Sequence, residues 1–356
     1  MRADRAALSA ATRQGEIIVK NTRVLLASRP QGEPGDDCFR IETVETPPLK
    51  EGQVLIKVLY LSLDPYMRGR MNDVKSYASP LQIGEVMIGE SAGVVIESRS
   101  PRFAVGDYVT AHMGWQSLLV ADDSHPMLAK VDIANAPLSA HLGVVGMPGR
   151  TAYFGLTELG RPRAGETLVV SAASGAVGSV VGQIARILGL RVVGIAGGAE
   201  KCAYVRDTLK FDACIDYKAG NLATDLKAAC PDGIDIYFEN VGGDVARAVA
   251  PLLNEGARVP ICGYVSSYNA EDISQAVTPM QIFGALPHPP EHRFFVVTEW
   301  MPRWPEATRQ LGQWLREGKL QYRESIGDGL ENAPELFRGL LRGKNFGKQL
   351  VRVAVQ

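Results

Sequence analysis

Up to about residue 140, apolar positions come in short alternating runs broken by turn residues. Gln53 to Leu61 (QVLIKVLYL) alternates and predicts a half-buried strand. Val86 to Glu97 carries Gly89 and Gly93 inside an apolar run, as a strand with a bend would. Phe103 to Ala111 (FAVGDYVTA) places the turn dipeptide Gly106-Asp107 ahead of another strand. Several strands with regular turn signals predict a barrel or sandwich.

From about Gly143 the rhythm changes to strand, helix, strand. Thr167 to Ala172 (TLVVSA) is a continuous apolar strand. Ser179 to Leu190 predicts a helix, with Val180, Val181, Ile184, Ile187 and Leu188 spaced three and four apart on one face. Strands follow at Arg191 to Ala196, Ala213 to Asp216, Ile234 to Glu239 and Ala257 to Cys262. Between them, Leu222 to Ala229 is helical, and Val245, Val249, Leu252 and Leu253 mark another helix. Alternating elements of this kind require right-handed crossovers and a parallel sheet covered on both faces, so an α/β, doubly wound domain is expected. Pro305 opens a last long helix, with Leu311, Trp314 and Leu315 inward and Gly318 at its end. The tail Gln349 to Val355 alternates again and is expected to return to the first domain.

The strand Thr167 to Ala172 runs into Ala173-Ser174-Gly175-Ala176-Val177-Gly178 and then the helix. This is G-x-G-x-x-G with alanine at the first glycine. Gly175 has no side chain to hold a pyrophosphate off the backbone, and the helix N-terminus offers N–H groups and the positive end of its dipole. Gly178 lets helix and strand pack closely. Dinucleotide binding is therefore expected. In NAD enzymes a carboxylate about 20 residues further on binds the ribose hydroxyls. That place reads Gly197-Gly198-Ala199-Glu200-Lys201. With no acid at the strand end and Lys201 just beyond it, a 2′-phosphate is favoured and the expected cofactor is NADPH. Glu200 is the counter-evidence.

Composition narrows the class further. The chain has 356 residues, 46% hydrophobic and 22% charged, with a net charge of −1. Disorder and coiled coil are excluded, and no electrostatic footprint for nucleic acid or an anionic membrane is present. The five cysteines are odd in number and none pairs at metal-ligand spacing, so reduced thiols in a cytoplasmic protein are expected. The first residues, MRADRAALSAATRQGE, lack the apolar core of a secretory signal and read as a disordered tail. The longest apolar stretch, Thr167 to Ile195, is interrupted by Gln183, Arg186 and Arg191, so no membrane span is expected.

The runs LSLDPYMRGRM (61–71), MPGRTAYFGL (147–156), SAASGAVGSVVGQIA (171–185), VVGIAGGAEKC (192–202), DGIDIYFENVGG (232–243), ICGYVSSYNA (261–270), YRESIGDGLENAP (322–334) and GLLRGKNFGK (339–348) together resemble one family. It is the medium-chain dehydrogenase/reductase superfamily, in its zinc-free alkenal/one oxidoreductase branch. That branch includes prostaglandin reductases, plant double-bond reductases and bacterial curcumin-reductase-type enzymes, and the pattern is nearest the last. The resemblance implies a GroES-like β-barrel domain from both chain ends (1–142 and 318–356) and a Rossmann domain (143–317), with the site in the cleft between them. It also implies a homodimer through the Rossmann domains.

Zinc-dependent relatives carry Gly-His-Glu ahead of a strand, with the histidine as ligand. Here the run is Ile88-Gly89-Glu90, so Gly89 stands in the histidine's place, and no cysteine lies near Leu61 to Arg70. A catalytic zinc needs three protein ligands, so no metal is expected. Without a Lewis acid, reduction of a C=C conjugated to a carbonyl is the easier reaction. The expected activity is NADPH-dependent reduction of enones and enals, with a positioned hydrogen-bond donor for the enolate oxygen. The rivals are a quinone reductase on the same fold and a non-enzymatic NADPH-binding protein.

By resemblance, Gly175, Ala176, Val177 and Gly178 would meet the pyrophosphate. Gly198, Lys201 and Tyr217 would meet the adenosine and its 2′-phosphate, and Asn240 a ribose. Cys262, Gly263, Tyr264, Val265, Ser266, Ser267 and Tyr268 would run along the nicotinamide half, as would Phe295, Val296 and Val297. Thr151 would lie near the nicotinamide, and Asn345 would reach the cofactor from the other domain. Tyr66 and Tyr268 would face the substrate. Cys262 is expected to pack rather than act as a nucleophile. Glu90 stands where plant double-bond reductases have tyrosine, which implies a different substrate pocket. The Pro- and His-rich segment Thr278 to Pro305 departs from the family pattern, and its His288 and His292 are expected in loops.

Overall fold

In the computed structural model, which describes residues 11–13, 16–74, 79–270 and 276–355, the chain separates into two units. The first holds the described residues up to Leu142, with Ile326–Arg338 and those from Leu350 on; the second is Gly143–Ser325 with Gly339–Gln349. Most of the N-terminal segment expected to lack order lies outside the described residues. Of it, Ala11–Arg13 (β1) pairs antiparallel with Glu16–Ile18 (β2).

In the first unit, Lys20–Leu26 (β3) and Phe39–Glu45 (β4) form an antiparallel pair. The longest strand, Gln53–Ser62 (β5), carries Ser91–Ser98 (β6) along one edge. Its other edge is shared: Leu118–Asp122 (β8) pairs with the first half and Lys348–Arg352 (β17) with the second. Beyond β6 come Tyr108–Ala111 (β7) and Ala129–Lys130 (β9), while Glu324–Asp328 (β16) borders β17. The inward alternation of Val54, Ile56 and Val58 meets Val95, Val109 and Ala111 in one core. Leu59, Ala92, Leu142 and Leu350 pack in another. Gly93 is required where β5 and β6 approach, since a Cβ there would stand 2.3 Å from the Lys57 carbonyl oxygen. A short helix, Tyr66–Arg70 (α1), follows β5.

The second unit begins with Met147–Phe154 (α2). Its sheet uses Thr167–Ser171 (β10), Arg191–Ala196 (β11), Ala213–Asp216 (β12), Ile234–Phe238 (β13), Leu253–Ile261 (β14) and Glu291–Phe294 (β15). Their spatial order is β12-β11-β10-β13-β14-β15, and the adjacent pairings are parallel. This is the doubly wound Rossmann order, whose growth reverses between β10 and β13. The helices are Gly178–Ile187 (α3), Ala199–Ala203 (α4), Leu222–Ala229 (α5), Gly243–Val249 (α6), Pro279–Gly284 (α7) and Trp304–Arg316 (α8). Ala333–Leu341 (α9), whose residues up to Arg338 belong to the first unit, follows in sequence, so the helix opened by Pro305 is not the last.

Three further differences from the sequence reading have local causes. The helix expected through Leu253 stops at Val249, because Pro251 follows, and Leu253 already begins β14. His292, expected in a loop, lies on β15, opposite Val259 of β14, with Nδ1 2.8 Å from the Pro290 carbonyl oxygen. His288 does stand in the preceding turn. The tail Gln349 to Val355 does return to the first unit from Leu350 on, pairing with β5, but the segment before it lies elsewhere. Residues 339–349 join the second unit, where Gly347 donates its N–H to the Ser174 carbonyl at 3.1 Å. Among the described residues, no helix is long and apolar enough to cross a membrane.

A candidate dinucleotide site at the carboxyl ends of the parallel strands

Open parallel sheets bind ligands outside the carboxyl ends of their strands, where the strand order reverses. Here that place is the pair of turns after β10 and β13. After β10 the chain turns at Ala172, which takes a left-handed φ of 50°. The strained position is thus Ala172 and not Ala173, which the motif puts at the first glycine. Gly175 donates its N–H to the Ala172 carbonyl at 2.9 Å. A Cβ on Gly178 would stand 2.4 Å from that same carbonyl oxygen, so α3 starts hard against the end of β10 only because this residue is glycine. Gly175, Ala176 and Val177 are half-exposed. They form an open rim at the N-terminus of α3, where a helix has N–H groups without intrahelical partners. The rim fits a pyrophosphate in shape and in dipole sign.

The end of β11 supplies the next part. Gly198 lies at a φ of 100° and donates its N–H to Asp216 Oδ1 at 2.8 Å. Tyr217 lies across Gly197: a Cβ there would stand 2.8 Å from the tyrosine ring. Lys201 is half-buried, and Nζ donates to the Gly343 carbonyl at 2.7 Å. Burial, and then the charge of Lys218, holds its ammonium below the usual lysine range, with Glu200 opposing. Lys218 Nζ itself sits 5.9 Å from the Tyr217 ring centroid. Two ammonium groups are therefore neighbours on this rim, an arrangement that an anion would relieve. Lys218 was not singled out from the sequence. Its pairing with Lys201 arises because β12 runs beside β11, with Asp216 opposite Ala196.

Asn345, expected to come from the other domain, belongs to the same unit as these residues, and its Nδ2 donates to the Gly347 carbonyl at 2.7 Å. After β13, Asn240 donates its backbone N–H to Ser171 Oγ and Nδ2 to the Ser171 carbonyl, each at 2.8 Å. What its side chain has left for a ribose is Oδ1 and the second Nδ2 proton. The residue before it, Glu239, is fully buried and was missed by the sequence reading.

The loop after β14 lies alongside. Cys262 and Gly263 donate to the Glu239 carbonyl, Val265 to that of Asn240 and Ser266 to that of Val241. Burial, with help from Glu239, pushes the Cys262 thiol up to about 12, which suits packing and not nucleophilic attack. Ser267 donates back to Tyr264, and the Tyr264 and Tyr268 rings meet edge to face at 5.6 Å. The Tyr268 hydroxyl overhangs Gly263, where a Cβ would stand 2.9 Å from it.

Other expected residues are more deeply built in. Phe295 and Val297 are buried, the first against Phe238 and Trp300. The Val296 N–H donates to Glu299 Oε1 at 2.9 Å. Thr151 is buried on α2 and gives its hydroxyl proton to the Met147 carbonyl at 2.8 Å. Tyr66, at the start of α1, belongs to the first unit and is half-buried there.

In that first unit, Gly89 fills the place the resemblance gives to a metal-binding histidine. A Cβ there would already meet Leu61 Cδ1 and Met67 Cε at 3.1 Å, so the position is walled by apolar side chains. Among the described residues, no group of three or more His, Cys, Asp or Glu could hold a metal ion.

Comparison with known proteins adds the following. Residues 22–130 match the family model described as N-terminal domain of oxidoreductase, and residues 176–285 the one described as zinc-binding dehydrogenase. The NADPH-dependent curcumin reductase of Escherichia coli K12 is 49% identical over 96% of this chain and 99% of its own length. Prostaglandin reductase 1 of Bos taurus is 42% identical over 90% of this chain and 95% of its own. The crystal structure of CurA in complex with NADPH from Vibrio vulnificus is similar at a TM-score of 0.89 and 47% identity, covering 94% of this chain and 100% of that one.

Proposed function

Because the chain belongs to the medium-chain dehydrogenase/reductase family, beside relatives that include curcumin and prostaglandin reductases, we propose that it is an NADPH-dependent reductase of the C=C bond of α,β-unsaturated ketones and aldehydes. The observation that carries the reading is the meeting of the Gly175–Gly178 rim, the Lys201 and Lys218 ammonium groups and the Asn240 turn along one strand-end edge. The relatives' printed names supply the enone-type substrate.

When bound, the dihydronicotinamide of NADPH supplies a hydride for the β-carbon of the enone. The chain's own residues do the rest. The rim at the start of α3 holds the pyrophosphate through backbone N–H groups and the helix dipole. Lys201 and Lys218 hold the 2′-phosphate as charge-assisted donors, with Tyr217 covering the adenosine. Asn240 Oδ1 accepts from a ribose hydroxyl, and Asn345 adds to the same edge. The loop from Cys262 to Tyr268 and the strand end at Phe295–Val297 would border the nicotinamide half, with Thr151 near it. The Tyr268 hydroxyl would donate a hydrogen bond to the carbonyl oxygen as enolate charge develops there, and the α-carbon then takes a proton from water to give the saturated product and NADP⁺. Tyr66 is the corresponding candidate of the first unit.

No metal takes part in this reading. The apolar wall around Gly89 supports it, and a strong chelator should leave the rate unchanged. We also assign the protein to the cytoplasm, on its five free thiols, and read it as a homodimer, with β15 offering a sheet edge for pairing. A screen of NADPH oxidation against alkenals, cyclic enones, diarylheptanoids and quinones tests the activity. Turnover confined to quinones would favour the rival reading.

A further inference from the structure

Glu239 has a role to which neither the sequence motif nor the cofactor reading assigns it. It follows β13 directly, at the reversal of strand order, and is fully buried. A single carboxylate oxygen, Oε1, accepts from Tyr237 Oη at 3.0 Å, Ser171 Oγ at 3.1 Å and the N–H groups of Val241 and Gly242 at 2.7 and 3.0 Å. The second oxygen, Oε2, is buried with no hydrogen-bond partner among the described residues. The backbone carbonyl of the same residue accepts from the N–H of Cys262 at 2.9 Å and of Gly263 at 3.3 Å.

Three chain segments thus meet on one residue: the end of β10, the turn after β13 and the loop after β14. Ser171 Oγ, which faces the carboxylate, also accepts the Asn240 N–H. Gly242 and Gly243 sit at φ of 75° and 55°, a region open to glycine, whose backbone freedom leaves the turn to be fixed by its hydrogen bonds. The two N–H groups that fix the entry to this turn are donors to Oε1. Burying a carboxyl group without a cation beside it is unfavourable, and an apolar residue would pack β13 at lower cost. What an apolar residue cannot do is collect four donors and thereby tie the turn after β13 to the end of β10; the loop after β14 hangs on that turn in its own right, with Val265 and Ser266 donating to the Asn240 and Val241 carbonyls.

We infer that Glu239 is a positioning residue for the nicotinamide half of the cofactor site, holding the 240–243 turn, and through it the 262–266 loop, in register at the ends of β10 and β13. The inference rests on the reading of the site as an NADPH site. It places the residue's influence at one end of that site. The adenosine end, at Gly198, Lys201 and Tyr217, is carried by β11, β12 and the 339–349 segment, which Glu239 does not touch through any of these bonds.

The test is calorimetric titration of the full-length protein with NADPH and, separately, with adenosine 2′,5′-bisphosphate, which carries the adenosine end only. Glu239→Gln keeps one acceptor oxygen but loses the charge that strengthens its bonds, so NADPH should weaken about threefold to tenfold. The bisphosphate should bind within about twofold of wild type, because its contacts lie elsewhere. Glu239→Leu should weaken NADPH further, again without moving the bisphosphate. Unchanged NADPH affinity in Glu239→Gln, or parallel loss of both ligands, would overturn the inference; parallel loss would mean a general structural role. A wild-type protein that binds neither ligand would instead strike down the cofactor reading, and this inference with it.

Discussion

Lys201 Nζ donates to the carbonyl oxygen of Gly343 at 2.7 Å, tying the start of α4 to the glycine-rich segment near the chain's end. The ammonium is therefore oriented before any ligand arrives, and Lys218 stands close enough to depress its pKa. A charge-assisted bond to phosphate contributes about 1.5–3 kcal/mol, so Lys201→Ala should weaken NADPH roughly tenfold to a hundredfold. NADH should change little, and any loss it does show measures the structural share carried by Gly343. Lys218→Ala should have a smaller effect, about threefold to tenfold, since this ammonium is the more exposed partner. Rising salt should weaken NADPH binding more in wild type than in either variant. Fluorescence titrations with both cofactors check this, and equal losses for NADPH and NADH would refute the phosphate role.

The approach of α3 to β10 makes a stability prediction. Gly178→Ala would place a methyl 2.4 Å from the Ala172 carbonyl oxygen, and backbone cannot swing aside as a side chain can. Overpacking of this kind costs about 1–3 kcal/mol. Thermal denaturation should show a lower Tm, and NADPH binding should suffer with it. Ala172→Gly is the counter-case: it relieves a left-handed alanine, which costs about 1–2 kcal/mol, against a gain in unfolded-chain entropy of about 0.5–1 kcal/mol. Stability should therefore hold or rise.

These two positions also show what was legible in the sequence. The glycine turn was readable because its chemistry is local: a strand, an open turn and a helix start within one short run. The change at Gly143 from alternation to strand-helix rhythm was readable for the same reason, and the parallel sheet followed. What the sequence did not disclose depends on distant pairing. Lys218 joins Lys201 only through the β11–β12 register. Glu239 reads as the polar end of an apolar strand until Ser171, Tyr237 and Gly242 are brought to it. β15 was hidden by the prolines before it, which read as loop, although an edge strand tolerates them. Segment 339–349 went to the second unit because Gly347 bonds Ser174, a contact with no local signature.

His112, just beyond β7, gives the pH dependence. Burial, first, lowers its pKa below the ordinary histidine value, with Asp64 opposing and His125 and Arg70 adding to the decrease. The folded protein therefore resists protonating it, while the unfolded chain takes up the proton near pH 6.5. Stability from this residue is present above about pH 6.5 and is lost as pH falls from there through the lower folded-state value. Urea midpoints measured at about pH 7.5 and about pH 5.5 should fall more for wild type than for His112→Asn. Equal declines would assign the acid sensitivity to other groups.

Tyr268 offers a test of the donor role. Its hydroxyl overhangs Gly263 on the loop proposed to border the nicotinamide. Removing an oxyanion donor costs about 10²–10³ in kcat in the strongest cases, and a smaller loss, about tenfold, is expected where ribose hydroxyls and water share the task. Tyr268→Phe should leave the NADPH dissociation constant unchanged. A variant with wild-type kcat would remove this hydroxyl from the chemistry.

The central claim is that the reaction saturates a conjugated C=C and spares the carbonyl. It is tested most directly by incubating the enzyme with an enone and NADPH deuterated at the transferable C4 position, then locating the label in the product by NMR. The account predicts a saturated ketone with deuterium on the β-carbon. An allylic alcohol with deuterium on the carbonyl carbon would contradict it.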